Sequence, residues 1–167
     1  MTKHRLRIVS AQNIYRLIPA SQWSDGEILK HFIGHTLTHH PHTFDMVRCA
    51  GAWLQAQRIT KNPTERATPM KHVVEAWARL YIHRDAVVVA ARMLSLEGYY
   101  PCFNISKSLI RPDNSRLIGI KMAGLHQGYG SEAQDYEVGR WTTYRYDEQR
   151  MSDRELERME NRVGMVA

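Results

Sequence analysis

The sequence predicts an α+β protein whose N-terminal two-thirds is predominantly helical, followed by a small antiparallel sheet or hairpin and a charged C-terminal helix. Three observations support this prediction. Apolar residues recur at helical spacing between residues 28 and 94, strand-forming and turn-forming residues follow Gly98, and a capping pattern precedes a charged segment near residue 152. A chain of 167 residues can bury its own core, so we expect a single domain, 1–167.

The N-terminal segment, 1–20, is predicted to be either a basic arm or an edge element. Its residues 5–19 suit a strand or a short helix, and the sequence does not decide between them. No apolar stretch follows the basic start, so we expect no signal peptide and no contact with a membrane. The chain has two cysteines, Cys49 and Cys102, which we expect to be reduced thiols of a cytoplasmic protein.

Two helices are predicted before residue 59. Ser24 and Glu27 form a capping-box pattern, which predicts a helix from Ser24 that ends before Pro41. Thr43 is the next expected cap, and the apolar spacing after it predicts a helix of about 14 residues. Polar residues and a proline in 59–68 then predict a loop.

The next helical stretch is predicted to begin at Thr68-Pro69, since proline suits the first turn of a helix. It continues to a stop at Gly98, either as one long helix or as two helices broken near His83-Arg84-Asp85. Beyond it, Pro112-Asp113-Asn114-Ser115 separates two apolar runs, a pattern that predicts a β-hairpin.

Two elements are predicted in the last third. Residues 140–146 are rich in strand formers, and their arginines and aromatic rings could contact nucleic acid. An ordinary two-sided strand, with Trp141 in the core and Arg145 in solvent, is the preferred interpretation because acidic residues follow at 147 and 148. A capping box at Ser152 predicts a charged helix with a thin apolar face, so that 147–167 would form a peripheral element.

Charge is distributed unevenly along the chain. Residues 1–130 contain 17 Lys and Arg against 8 Asp and Glu, a balance of +9, and residues 131–167 contain 6 against 9, a balance of −3. Together they give the net charge of +6. A basic body attracts polyanions, of which nucleic acid is the commonest in cells. The sequence therefore predicts a non-catalytic nucleic-acid-binding accessory or regulatory protein, for DNA or RNA.

The predicted helix and basic hairpin resemble the arrangement of winged-helix proteins, in which the wing contacts phosphates beside a helix in the major groove. A solvated amphipathic helix with a charged hairpin is the other interpretation. The residues expected to contact phosphates lie in the N-terminal arm, in the helical stretch and on the hairpin: Lys3, Arg5 and Arg7; Arg79, Arg84 and Arg92; Lys107, Arg111, Arg116 and Lys121.

The alternative function is a protein-interaction module. Such a module would be an adaptor, an assembly subunit or an inhibitor of a host nucleic-acid machine, of the kind that phages and plasmids encode. It would present an electrostatic face to its partner. The acidic residues expected on that face are Glu132, Asp135, Glu137, Glu155 and Glu157.

Histidines suggest a third function, a metal-dependent nuclease or nickase. Residues at i, i+4 and i+8 of a helix can share a divalent metal, and a solvated helix flank is the other interpretation. The expected ligands are His31, His35, His39 and His42. His40-Pro41-His42 also resembles the His–hydrophobic–His pair of HUH endonucleases over three residues, which implies a tyrosine nucleophile at Tyr136, Tyr144 or Tyr146. We expect no cofactor apart from such a metal.

Overall fold

A computed structural model describes residues 11–32, 40–64, 70–124, 144–151, 153–155 and 157–158. Its α-helices are α1 (Ala11–Leu17), α2 (Asp25–Leu29), α3 (Thr43–Gln55), α4 (Met70–Ala78) and α5 (Arg84–Met93). Its strands are β1 (Gly98–Tyr99), β2 (Cys102–Phe103), β3 (Ile110–Arg111) and β4 (Tyr146–Asp147). Short 3₁₀ helices cover Ala20–Gln22, Asn114–Leu117 and Glu148–Arg150. The mixed α+β class with substantial helix is therefore confirmed.

Helix α3 lies at the centre of the core. The apolar face that the spacing predicts is buried, and its largest side chain, that of Trp53, is fully inaccessible to solvent. Helix α5 packs along α3, and its alanines and valines let the two helices approach closely. The helix begins at Thr43 with His42 as its N-cap, one residue before the predicted cap.

Residues 11–20 are docked on α3 as an edge element, while 1–10 lie outside the described residues. Gln55 fixes them, because its Nε2 donates to the carbonyl oxygens of Tyr15 and Ile18 at 2.8 Å each. Its Oε1 accepts from the amide of Ala20 at 3.0 Å. A short helix, the second of the two alternatives for this segment, is therefore what these residues form.

The capping box of α2 is confirmed, but the helix is shorter than predicted. The hydroxyl of Ser24 accepts from the amide of Glu27 at 3.2 Å, and the Glu27 carboxylate accepts from the amide of Ser24 at 3.0 Å. Helix α2 nevertheless ends at Leu29, and residues 33–39 lie outside the described part of the chain.

The stretch between residues 70 and 98 is two helices, the second of its two predicted alternatives. Arg79 has a φ of 49° and ends α4, and the Nδ1 of His83 accepts from the amide of Asp85 at 3.1 Å to cap α5. Helix α5 ends at Met93 rather than at Gly98, which lies in β1 instead. The predicted start at 68–69 lies outside the described residues.

The predicted hairpin around residues 112–115 is wrong. The Asp113 carboxylate accepts from the amide of Ser115 at 2.7 Å and starts a 3₁₀ helix, and the Trp77 indole donates to the Pro112 carbonyl at 3.1 Å, which ties the turn to α4. Strand β3 pairs in parallel with β4, and the antiparallel pair lies at β1–β2. The wing of the winged-helix interpretation is therefore absent where the sequence predicts it, at 103–122.

The C-terminal predictions are only partly within the described residues. Tyr146 lies in β4, and residues 140–143 are outside. In the charged segment, residues 153–155 and 157–158 are helical, and their side chains are exposed. Across all the described ranges, no helix has the length and apolar character needed to cross a bilayer.

The end of α3 binds β3 through one buried side chain. The Nε2 of Gln57 donates to the carbonyl oxygens of Ile110 at 2.9 Å and Trp53 at 3.0 Å. Its Oε1 accepts from the amide of Ile110 at 3.0 Å. The Gln57 amide thus takes the place of a neighbouring strand on one edge of β3, and β4 occupies the other edge through the Leu109 carbonyl.

Replacing Gln57 by Glu should destabilise the protein by about 3 kcal/mol or more, because a buried carboxylate cannot donate to the two carbonyl oxygens. Urea unfolding followed by tryptophan fluorescence measures this. The matched control is Gln22→Glu at an exposed position, which should change the free energy of unfolding by less than about 0.5 kcal/mol. Equal effects of the two substitutions would contradict the role of Gln57.

Replacing Gly51 by Ala should also destabilise the protein, although alanine is the better helix former by about 1 kcal/mol. A Cβ at Gly51 in α3 would overlap the six-membered ring of Trp23, which is buried, and overpacking costs about 1–3 kcal/mol. Gly26→Ala in α2 is the control, since nothing lies within 4 Å of its added Cβ. Unfolding measurements should therefore give opposite signs for the two variants, and stabilisation by both would contradict the packing described.

Candidate functional site

An open groove of about 480 Å³ follows β4 and the turn after it. Its lining combines three arginines, two tyrosines, two carboxylates and a methionine: Arg111, Arg145 and Arg150; Tyr144 and Tyr146; Asp147 and Glu155; and Met151. Arg111 reaches it from β3, and the others come from residues 144–155. The parallel β3–β4 pair therefore brings together two regions that are distant in the chain.

A fourth arginine lies behind this groove. The Cζ of Arg58 is 4.5 Å from the centroid of the Tyr146 ring, and its Nε is buried with no hydrogen-bond acceptor among the described residues. A buried donor without a partner is rare in proteins and calls for an explanation. We call Arg58, Arg111, Arg145 and Arg150, arranged about Tyr146, the arginine groove.

The arginines of the groove are not neutralised by ion pairs with carboxylates of the described residues. Within the described ranges, none of its four guanidinium groups forms an ion pair with a carboxylate. Asp147 and Glu155 line the groove and lower its positive potential, but four arginines against two carboxylates leave a balance of +2. Glu155, expected on an acidic partner face, thus lies beside the basic groove instead.

Asp147, the last residue of β4, and Glu148, which follows it, both make contacts within the local structure. Asp147 accepts from the amide of Gln149 at 3.2 Å and caps the 3₁₀ helix that follows. Glu148 binds the guanidinium of Arg116 in a two-pronged ion pair and accepts from the amide of Asp113 at 2.7 Å. These two carboxylates, which in the sequence favoured an ordinary strand over a basic surface, therefore stabilise the turn. The ion pair of Glu148 lies outside the groove.

The two tyrosines of the groove differ in environment. The hydroxyl of Tyr144 accepts from the Trp53 indole at 3.0 Å, and burial raises the pKa of Tyr144 to about 12. A phenol that is buried, neutral and hydrogen-bonded to the core is a poor nucleophile. Tyr146 is partly exposed, and its hydroxyl makes no hydrogen bond to the described residues. Tyr136, the third candidate nucleophile, lies outside the described residues.

Of the phosphate contacts expected from the sequence, Arg111 is the one that the described structure places in the arginine groove. Arg116 is instead held by Glu148. Four others are exposed away from the groove lining: Arg79, Arg84, Lys107 and Lys121. Arg92 is exposed but engaged in a contact of its own. Lys3, Arg5 and Arg7 lie outside the described residues.

Three groove arginines were not among the predicted phosphate contacts. Arg145 belongs to the segment 140–146, for which the acidic residues that follow favoured an ordinary strand, and Arg150 lies beyond that segment. Arg58 had no signal in the sequence, because its partner Tyr146 is distant in the chain. Among the acidic residues expected to face a partner, Glu157 is exposed, and Glu132, Asp135 and Glu137 lie outside the described residues.

The histidines expected to bind metal are not gathered into a site by the described residues. His31 lies 3.0 Å from the carbonyl oxygen of Glu27 and packs edge-on against Tyr15, and His42 precedes α3. His35 and His39 lie outside the described residues. Among the residues that are described, no group of three His, Cys, Asp or Glu side chains could hold a metal ion.

The pair His40-Pro41-His42 lies in a turn that leads into α3, not on the strand that the HUH resemblance requires. His42 donates its amide to the Nδ1 of His40 at 3.2 Å, and the His40 ring stacks on Tyr81 with centroids 6.0 Å apart. Burial, followed by the nearby His42 and His83, lowers the pKa of His40 below its ordinary value of 6.5. These three histidines form a cluster that the sequence spacing did not predict.

Comparison of the chain with protein-family models, with curated proteins and with solved structures finds no match to any of them. Fold alone does not assign a function in any case, because one fold carries many functions. The chemistry of the arginine groove is therefore the basis for the proposal that follows.

The folded protein should lose stability as the pH falls from about 7.5 to about 5.5, in part because of His40. The folded state disfavours protonated His40, so the unfolded state binds more protons in this window and gains relative stability. Replacing His40 by Asn keeps an acceptor for the amide of His42 and should flatten the pH dependence. Urea unfolding at several pH values measures it, and an unchanged slope in the variant would contradict the assignment.

Proposed function

We propose that this protein is a non-catalytic nucleic-acid-binding accessory or regulatory protein that holds phosphate groups in the arginine groove. The observation that supports this proposal is that three arginines line one groove and a fourth lies behind it, and that none of the four forms an ion pair with a carboxylate of the described residues. Like charges held together raise the free energy of the folded chain unless an external anion offsets them. A ligand that carries several negative charges along a line is the natural counter-ion.

Guanidinium groups suit phosphate because each offers a planar fork of donors that matches two phosphate oxygens. The buried Nε of Arg58, which has no acceptor among the described residues, could use one of these oxygens or a water bound to it. The groove is open rather than enclosed, so a chain of phosphates can pass through it. A small phosphate ester would engage only part of the set.

The rest of the basic body adds long-range attraction. Arg79, Arg84, Lys107 and Lys121 are exposed, and a polyanion that follows the groove onto the surface would release counter-ions from such residues. Both cysteines are free thiols, as expected in the reducing cytoplasm where we place this function. The winged-helix mode of docking is not part of the proposal, because it needs the hairpin that is absent at 103–122.

Reversing Arg111 and Arg145 to Glu should weaken binding to nucleic acid by about 100-fold at about 0.05 M salt, because two phosphate contacts become repulsive. Lys30→Glu with Lys61→Glu is the matched control. It removes the same charge from exposed positions outside the groove, and should weaken binding by less than about fivefold. Fluorescence anisotropy with labelled single-stranded DNA, single-stranded RNA and duplex DNA gives the affinities, and circular dichroism checks folding.

Two outcomes would count against the proposal. Equal losses in both double variants would show that net charge, not the groove, attracts the ligand. No binding of the untagged, nuclease-treated wild-type protein at low salt would remove nucleic acid as the ligand. The protein-interaction module would then be the better account, and affinity capture from the native host would look for a stoichiometric protein complex that resists nuclease.

A further inference from the structure

The arginine groove contains an aromatic ring held in a fixed position. Tyr146 is paired with Ile110 in the β3–β4 ladder, and its amide donates to the Leu109 carbonyl at 3.2 Å. The guanidinium of Arg58 lies over the ring, with its Cζ 4.5 Å from the ring centroid. Tyr146 lines the open part of the arginine groove, whereas Arg58 is the member of the set that lies behind it.

Such a ring is a platform for a nucleobase. Bases stack on aromatic side chains, and a guanidinium on the opposite side strengthens the arrangement through cation–π attraction. The ring is already ordered by the backbone ladder and by Arg58, so little conformational freedom is lost when a base stacks on it. The hydroxyl of Tyr146 makes no hydrogen bond to the described residues, so both the ring and the hydroxyl are available to a ligand.

The arginines are distributed on both sides of this ring along the chain. Arg145 precedes Tyr146 directly, Arg150 follows it across the 3₁₀ turn, and Arg111 lies opposite Asp147 in the strand register. A nucleotide within a strand has one phosphate before its base and one after it. The groove thus combines a stacking platform with cations that can contact phosphates of the same strand.

The shape of the groove favours a single strand over a duplex. Proteins that read a duplex insert a protruding helix or β-ribbon into its major groove, whereas this site is a concavity of about 480 Å³ beside strands of two residues each. The segment that could have protruded is a 3₁₀ helix fastened by Arg116 to Glu148. Bases in a duplex stack on one another and cannot reach a ring within such a concavity.

We infer that the arginine groove binds single-stranded nucleic acid, DNA or RNA, with one base stacked on Tyr146. This inference rests on the proposed function and names the ligand class of the same site. It predicts that affinity depends on the bases as well as on the phosphates, and that Tyr146 supplies the part due to the bases.

The test measures the affinities of the wild type and of Tyr146 variants for oligomers with and without bases. The probes are fluorescein-labelled oligothymidylate, oligouridylate and an abasic deoxyribose-phosphate oligomer, each of about 12 nucleotides, and a duplex with the same number of phosphates. The proteins are the wild type, Tyr146→Leu and Tyr146→Phe. Comparison of the thymidylate and uridylate probes separates DNA from RNA.

The wild type should bind the base-carrying single strands about fivefold or more tightly than the abasic oligomer, since one stacked base contributes a factor of about 5 to 150. Tyr146→Leu should weaken binding of the base-carrying strands by a similar factor and leave abasic binding unchanged. Tyr146→Phe keeps the ring and should bind like the wild type. The duplex should bind no better than the abasic oligomer.

Three outcomes would overturn the inference. They are equal weakening of base-carrying and abasic binding by Tyr146→Leu, equal wild-type affinity for both oligomers, and duplex binding as tight as single-strand binding. In each case the proposed function stands if the arginine reversals still abolish binding. If the wild-type protein binds none of the probes, both the inference and the proposed function are wrong. If Tyr146→Leu fails to fold, the wild-type preference for bases over the abasic oligomer decides by itself.

Discussion

The hydrogen bonds between the Gln57 side chain and the backbone of Ile110 fix where the C-terminal third meets the helical body. They are reinforced from the same end of α3, where Trp53 donates to the hydroxyl of Tyr144 and Arg58 lies against the ring of Tyr146. Three side chains between residues 53 and 58, at the end of α3 and just after it, therefore hold two segments that are far apart in the chain. The groove arginines depend on this junction for their mutual positions.

The same junction explains how a basic surface arises where the local sequence is mixed. Glu148 and Asp147 bind their neighbours in the turn, so neither forms an ion pair with a groove arginine. The remaining carboxylate, Glu155, lies at the groove edge and limits its potential. The positive charge of the groove therefore depends on which carboxylates bind other groups in the protein, as well as on the number of arginines.

Local features of the fold could be predicted from the sequence, and pairings between distant segments could not. The buried face of α3 and the capping box at Ser24 follow from spacing and from neighbours in the chain. The turn chemistry around Asp113 suits a 3₁₀ helix as well as a hairpin, and the hydrogen bond from the Trp77 indole to the carbonyl of the preceding residue, Pro112, favours the 3₁₀ helix. Arg58 could not be assigned to the site, because no short-range pattern links it to Tyr146.

An NMR titration of the arginine Nε–H resonances with unlabelled single-stranded oligonucleotide tests most directly whether the four arginines of the groove bind one ligand. Arg58, Arg111, Arg145 and Arg150 should shift together with a single dissociation constant, because they contact one ligand. Arg116, held by Glu148, should shift little. Shifts confined to arginines outside the groove, such as Arg79 and Arg84, would contradict the account and place nucleic-acid binding on another face.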